Sequence, residues 1–347
     1  MVGTGSIAAT YVKGLRHTPG FEVAAVCSRD PANAAVFATV NKLVARTFAD
    51  ILADPAINYV LNLTPADAHP AITHACLQAG KSVYSEKPLA TTLAEADALI
   101  SFADQQGLLL ACAPATTLWR PLATAQKLVV QGTLGSIVGA LATLVYPGPE
   151  TFHANPAQFY SAAAGPLRDM GVYQINALCS LLGPVLSVSA MASCARAERK
   201  VRIGIQAGTS FSVDAPTHVS ALLHHASGTI STIIVSFDGM SATPPRLDLY
   251  GDLAGLGIEN CHRPDAVLWL NRAGSHERLT ADDPPWSLAC QAIGPTSAWN
   301  AFHTGKFVEV NASRARDVLA VLLSIERSCL DGAVTNVPNA WSAGVQN

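Results

Sequence analysis

A strand–helix alternation that starts from a glycine turn constrains this chain more than any other feature. Gly3-Thr4-Gly5 runs straight into a helix-forming stretch, Ser6 to Arg16, and then into the apolar run Glu22-Val23-Ala24-Ala25-Val26-Cys27. Asp30 is placed to cap the next helix, with Pro31 at its first position, where a missing N–H costs nothing. Ile57–Leu63 reads as a strand, Ala68–Ala79 as a helix closed by Gly80, and Val83-Tyr84 as a short strand. Thr92-Leu93-Ala94-Glu95 is a capping box that opens a helix ending at Gly107, and Leu108-Leu109-Leu110-Ala111 follows as another strand. Strands separated by helices cannot close as hairpins. They pair through crossovers, which predicts a doubly wound parallel sheet with helices on both faces, an α/β fold.

Beyond about residue 120 the pattern changes. A helix at Leu122–Gln131 ends at Gly132, and strands are expected at Ile137–Tyr146 and Val185–Ala192. Val219–Leu223 and Thr229–Phe237 form a hairpin around Ser227-Gly228, and Arg246–Tyr250 and Ala266–Asn271 add further strands. Pro166 starts a helix running to Leu182, and a last amphipathic helix covers 313–331. Consecutive strands without intervening helices imply an α+β C-terminal domain with a large, mostly antiparallel, open sheet. The expected division is 1–118 for the first domain and 119–347 for the second. An open sheet face invites a second copy, so a homodimer or homotetramer through that sheet is expected. Thr280–Pro285 is the expected mobile loop. A dinucleotide fold needs a first strand of about five residues, whereas only Met1 and Val2 precede the turn; a late start assignment is the favoured reading.

Charge and composition narrow the partners. The net charge is -3 and no cluster of lysine and arginine appears, so there is no basic surface to attract nucleic acid. Half the residues are hydrophobic, yet no uninterrupted apolar run approaches the length of a membrane span, and no signal peptide is read at the amino terminus. The eight cysteines are scattered without a C-x-x-C pair, which reads as reduced, structural thiols and a cytoplasmic setting. No metal-ligand spacing is present. His224 and His225 are neighbours on an expected strand, face opposite ways, and read as surface and edge residues.

Gly3-x-Gly5-x-x-Ala8 fits the dinucleotide fingerprint in which backbone N–H groups at a helix start meet a pyrophosphate, so Gly3, Thr4, Gly5, Ser6 and Ile7 are candidate cofactor residues. At the end of the second strand, where an NAD site carries an acid, the chain has Cys27-Ser28-Arg29. A hydroxyl and a guanidinium suit a 2′-phosphate, which favours NADP, with NAD possible. Lys87, in Ser85-Glu86-Lys87-Pro88, is delivered to the same sheet edge by a later strand. Asp169 and Tyr173 are four apart on the expected helix, with Asn176 one turn on. On the residues alone, a solvated loop lysine and an aspartate favouring a helix N-terminus stand beside this functional reading.

These runs resemble the Gfo/Idh/MocA family of oxidoreductases over nearly the whole chain. The resemblance rests on Gly3-Thr4-Gly5-Ser6-Ile7-Ala8, on Thr64-Pro65 followed by His69, and on Ala79-Gly80-Lys81-Ser82-Val83-Tyr84-Ser85-Glu86-Lys87-Pro88. Trp119-Arg120-Pro121, Gly132-Thr133-Leu134-Gly135 and Asp169-Met170-Gly171-Val172-Tyr173 continue it. It implies a Rossmann domain and an enzyme that passes a hydride between a nicotinamide cofactor and a sugar, polyol or related hydroxy compound. It also implies cofactor contacts at Thr64, Pro65, His69, Glu86, Lys87, Trp119 and Arg120. The family's lysine falls on Lys87, its helix carboxylate on Asp169, and its acid/base on Tyr173. A tyrosine there resembles the glucose-fructose oxidoreductase, dihydrodiol and xylose dehydrogenase branch. Ala66 departs from the asparagine frequent at its position. A free tyrosine titrates near 10, and a nearby ammonium favours the phenolate, so Lys87 and Tyr173 are expected to act as a unit with Asp169. His153, Asn155, Tyr160 and Arg168 precede or open the catalytic helix and, with Asn176, are the expected substrate contacts; Arg168 hints at an anionic substrate. A cofactor-binding sensor without turnover, and a redox-neutral enzyme using tightly bound cofactor, are the alternatives.

Overall fold

The computed structural model describes residues 1–279 and 290–338. The chain forms two compact units, one made of Met1–Trp119 and Asp283–Leu319, the other of Arg120–Asp282 and Ala320–Asn347.

In the first unit, β1 (Tyr59–Asn62), β2 (Ser82–Ser85) and β3 (Leu110–Cys112) pair in parallel in that order. Single parallel bridges carry the sheet further, from Asn62 to Val2, from Val2 to Cys27 and from Val26 to Ala45. Val2 therefore lies between two neighbours: its N–H donates to Leu61 O at 2.9 Å, its carbonyl accepts from Leu63 N at 2.7 Å, and Gly3 N donates to Cys27 O at 2.9 Å. The strand expected at Glu22–Cys27 is reduced to Val26 and Cys27, which bridge to Ala45 and Val2. The Met1 ammonium is buried and donates to Ala25 O at 2.8 Å, and desolvation pulls its pKa down to about 6. Helix Ser6–Leu15 packs Ala8, Tyr11, Val12 and Leu15 into a core with Leu61, Leu63, Tyr84 and Ala111. Both expected caps form. Asp30 accepts from Ala32 N at 2.9 Å, and Thr92 and Glu95 bond reciprocally at 3.0 and 3.2 Å.

The stretch Asp283–Leu319 belongs to this first unit, so a single cut after residue 118 does not describe the chain. Its helix Ile293–Thr304 adds Ala292 and Ala298 to the core, and Trp299 stacks on Tyr59 with centroids 4.8 Å apart. That helix starts without a side-chain cap and carries Gly294 and Pro295 in its first turn, so it has no start signal to read.

The second unit is built on β4 (Ile137–Val145), β5 (Val185–Ser193), a small ribbon of β6 (Glu198–Lys200) and β7 (Ser210–Ser212), then β8 (His218–His225) and β9 (Ile230–Ser236). β10 (Arg246–Gly251), β11 (Gly255–Glu259), β12 (Val267–Arg272), β13 (Ser275–Leu279) and β14 (Thr335–Asn336) complete it. The nine-stranded sheet runs β13-β12-β11-β10-β4-β9-β8-β5-β14 and is antiparallel except where β4 meets β9. The open antiparallel sheet is thus present. β11 was not anticipated because two of its five residues are glycine. One face, with Ala142, Leu144, Ile233, Val235, Leu223 and Leu249, is buried; the other leaves Leu222, Ile230 and Met191 exposed. Helix Val172–Leu182 packs on β4 and β9. The single helix expected from Pro166 is instead a π-helical turn, Leu167–Gly171, leading into that α-helix. Gly171 permits the wider turn, since a Cβ there would sit 3.0 Å from Leu167 Cδ1.

Seven cysteines are free thiols among the described residues, and none of the described helices is long and apolar enough to cross a membrane. Thr280–Pro285 lies outside the described residues. His225 corrects the surface reading: it is fully buried, its Nδ1 facing Gly183 O at 2.9 Å and its Nε2 facing Ser231 Oγ at 2.8 Å. Burial lowers its pKa, and burial with the adjacent Arg263 charge lowers that of His262 to about 4. Unfolded histidine titrates near 6.5. Between about pH 6.5 and 4 the unfolded chain therefore binds more protons than the folded one. Stability from this source is present above that window and is lost as pH falls through it, by about 3 kcal/mol for His262. Urea midpoints measured at pH 5 and 7.5 should differ less in His262→Asn than in the parent, and an unchanged slope would refute the assignment.

Candidate active site

In the first unit the expected cofactor residues gather at one edge of one sheet, because each follows the carboxyl end of a parallel strand. Gly3 has φ +106°, and a Cβ there would run into the Leu63 carbonyl, so no other residue fits between the two backbones. Gly5 begins helix Ser6–Leu15 without a side-chain cap, and a Cβ on it would meet nothing within 4 Å. The helix start thus has open space beside Gly5 and N–H groups without intrahelical acceptors, which fits a phosphate group. Ser28 and exposed Arg29 follow Cys27, while Asp30 is occupied as a helix cap.

Thr64 follows β1, and its hydroxyl and N–H both donate to Asn62 Oδ1, at 2.7 and 3.3 Å. Asn62 in turn donates to His69 O and Thr73 Oγ1, each at 3.1 Å. Pro65 is exposed beside it, and Trp119 is buried. His69 is only 1% exposed and stands between two turns, with Nδ1 2.7 Å from Pro88 O and Nε2 2.7 Å from Thr64 O. Both ring nitrogens thus lie within hydrogen-bonding distance of backbone oxygens, and the tautomer decides which of the two accepts the N–H. Glu86 is committed as well: its Oε1 accepts from Tyr11 Oη at 2.8 Å and its Oε2 from Lys87 N at 3.1 Å. Sequence reasoning assigned both side chains to the cofactor, but their polar atoms are spent on holding the turns that carry Thr64 and Lys87.

In the second unit Asp169 lies on the π turn and Tyr173 opens the α-helix, and both are partly exposed. Asn176, one turn on, is 3% exposed and faces the packed side. Arg168 does not present a free cation to a ligand, because its Nε and Nη2 donate to the two carboxylate oxygens of Glu326, each at 2.6 Å. Arg168 is thus held in an ion pair. His153 accepts from Asn155 N at 3.0 Å and rests edge-on against Phe159, while Asn155 is exposed.

Tyr160 is a second correction. It is fully buried, bonded to Glu150, and overlain by the Arg199 guanidinium at 4.9 Å from its ring centre. Arg199 Nη1 donates to Glu150 Oε1 at 2.6 Å, Arg199 Nη2 bonds Asp238, and Thr217 bonds Asp238 too. Burial, then the Glu150 bond, pushes the Tyr160 phenol up, so it remains a neutral donor. This network pins the segment between β4 and the π turn. No spacing could have disclosed it, since its members come from five separate places in the chain. Tyr146, at the end of β4, was also missed: burial and the charge of Asp169 both raise its pKa, which makes it an electrostatic neighbour of that carboxylate.

The model of the oxidoreductase family with an NAD-binding Rossmann fold matches residues 1–113, and that of the GFO/IDH/MocA C-terminal domain matches 122–256. The chain belongs to the Gfo/Idh/MocA family. Among its relatives, the trans-1,2-dihydrobenzene-1,2-diol dehydrogenase of Macaca fuscata fuscata is 28% identical over 187 residues, 53% of this chain and 55% of the relative. The NADP(+)-dependent scyllo-inositol 2-dehydrogenase of Bacillus subtilis is 33% identical over 141 residues, 41% of this chain and 39% of the relative. The chain thus matches about half or less of these relatives' lengths. Among solved structures, levoglucosan dehydrogenase in complex with NADH and L-sorbose superposes with a TM-score of 0.84 at 19% identity, covering 97% of both chains. The aldose-aldose oxidoreductase of Caulobacter crescentus superposes at 0.79 with 20% identity, covering 96% of this chain and 97% of that one. These likenesses bear on fold, and they agree with a family Rossmann domain followed by a large mostly antiparallel sheet.

Replacing His69 with alanine should leave at least one buried carbonyl oxygen without its donor and cost about 1–3 kcal/mol of stability. Thermal melts of His69→Ala against the parent measure this; a change under about 0.5 kcal/mol would show that the ring is not a structural tie.

Proposed function

We propose that this protein is a nicotinamide-dependent oxidoreductase that transfers a hydride between the cofactor and the carbinol or carbonyl carbon of a neutral sugar, polyol or ring diol. The observation that carries the reading is the placement of Gly3–Ile7, Ser28-Arg29, Thr64-Pro65 and Lys87 at the carboxyl ends of the strands of one parallel sheet. That is the edge where such sheets bind dinucleotides. The relatives add support, being named as dehydrogenases of a dihydrodiol and of scyllo-inositol. The pairing of Arg168 with Glu326 supports a substrate without a carboxylate.

The bound cofactor would supply the hydride chemistry itself. The free N–H groups at Gly5–Ile7 would hold its pyrophosphate. The Ser28 hydroxyl and the exposed Arg29 guanidinium would hold a 2′-phosphate, so NADP is the proposed cofactor, in keeping with the NADP(+) named for the inositol dehydrogenase relative. Tyr173 exchanges the proton on the substrate oxygen. Lys87 favours its phenolate and orients the same oxygen, and Asp169 holds a neighbouring substrate hydroxyl. His153 and Asn155 are further proposed contacts for substrate hydroxyls. Trp119 and Arg120 are proposed to flank the cofactor. The exposed row of Met191, Leu222 and Ile230 on the open sheet face is the proposed surface of a homodimer or homotetramer.

Three measurements test this. Lys87→Ala and Tyr173→Phe should each lower kcat by about 100-fold or more while cofactor still binds; rates within a few-fold of the parent on a verified substrate would refute the assignment. Arg29→Ala should raise KM for NADP about 10-fold or more and leave KM for NAD nearly unchanged, and equal effects on both would remove the cofactor preference. Leu222→Arg should shift sedimentation toward the monomer, and an unchanged assembly would clear this face of that role.

A further inference from the structure

The reading of Lys87 as a catalytic group leaves open what fixes it, and the Glu86 carboxylate answers that. Its two oxygens serve two different elements: Oε1 takes the Tyr11 hydroxyl at 2.8 Å, and Oε2 takes the Lys87 backbone N–H at 3.1 Å. Tyr11 is on helix Ser6–Leu15, the helix opened by the glycine turn, and is 1% exposed. Its ring stands edge-on to Tyr84, on the strand that delivers Lys87, with centroids 6.2 Å apart at 63°. The Glu86 backbone is tied separately, its N–H donating to Asn62 O at 2.8 Å. Burial, then the charge of Glu86, raises the Tyr11 pKa, so the phenol stays a donor.

We propose that Tyr11 is a positioning residue for Lys87, acting through Glu86, whose carboxylate is a strut between the first helix and the lysine's backbone rather than a ligand of the cofactor. A carboxylate held at each oxygen by a different element cannot rotate without breaking one of the two bonds. The helix whose N-terminus faces the open phosphate cradle is thereby linked to the turn bearing the lysine. A misplacement of even about 1 Å at a reacting group is enough to cost rate, so a bond remote from the substrate can be read in kcat.

This inference rests on Lys87 being catalytic, and the experiment separates the two ideas. Tyr11→Phe keeps the ring and its packing on Tyr84 and deletes only the hydroxyl; Glu86→Gln keeps size and removes the charge. Steady-state kinetics on a substrate verified for the parent, with pH–rate profiles and melting temperatures, should show Tyr11→Phe lowering kcat about 10-fold. KM for cofactor should stay within about two-fold and melting within a few degrees, and the pH limb that disappears in Lys87→Ala should be displaced. The Tyr11→Phe/Glu86→Gln double variant should be no worse than the weaker single variant, because both cut one strut. If Tyr11→Phe retains parental kcat, or the two substitutions add, or Glu86→Gln raises the cofactor KM while Tyr11→Phe does nothing, the strut is refuted. If Lys87→Ala itself retains full activity, the catalytic reading fails and the strut fails with it. An inert Tyr11→Phe beside a dead Lys87→Ala overturns the strut alone.

Discussion

The sheet of the first unit depends on the short segment Met1–Gly3. Among the described residues, the half carrying Cys27 and Val26 meets the half carrying β1, β2 and β3 through Met1–Gly3: Val2 bonds Leu61 and Leu63 on one side, while Met1 and Gly3 bond Ala25 and Cys27 on the other. The glycine turn begins at the end of that segment, so its position relative to Thr64 and Lys87 is inherited from that pairing. Gly3 shows how closely the chains then approach, with no room for a Cβ beside the Leu63 carbonyl. Placement of the candidate cofactor residues is therefore a matter of backbone registry, and side chains such as Asn62, His69 and Glu86 secure the turns once registry has set them.

Much of the first unit was legible because its signals are local. The Asp30-Pro31 start, the Thr92-Glu95 box and the glycine stops depend on residues within one turn, and they behave as read. The strand expected at Glu22–Cys27 forms only at Val26 and Cys27, because β pairing depends on partners distant in sequence, here Ala45 and Val2. The return of Ile293–Thr304 to the first core was equally unreadable, since a helix with glycine and proline in its first turn carries no start signal.

The candidate site divides along the same line. Lys87, Asp169 and Tyr173 could be singled out because motif spacing and resemblance identify residue types. Their neighbours could not, because the pairings span long separations: Arg168 with Glu326, Tyr160 with Glu150 and Arg199, Tyr11 with Glu86. In each case a polar residue that looks available in the sequence is spent on another polar residue. Burial leaves little choice, since an unpaired charge there costs far more than an exposed one.

The tie between Arg168 and Glu326 reaches beyond the choice of substrate. Glu326 lies on the last long helix, Ala312–Asp331, so the charge of Arg168 is balanced by an element 158 residues further along the chain. Removing Glu326 would leave the Arg168 guanidinium, the neighbour of Asp169 in sequence, without this carboxylate. The last long helix thus balances the charge next to Asp169 although it lies far from it in sequence.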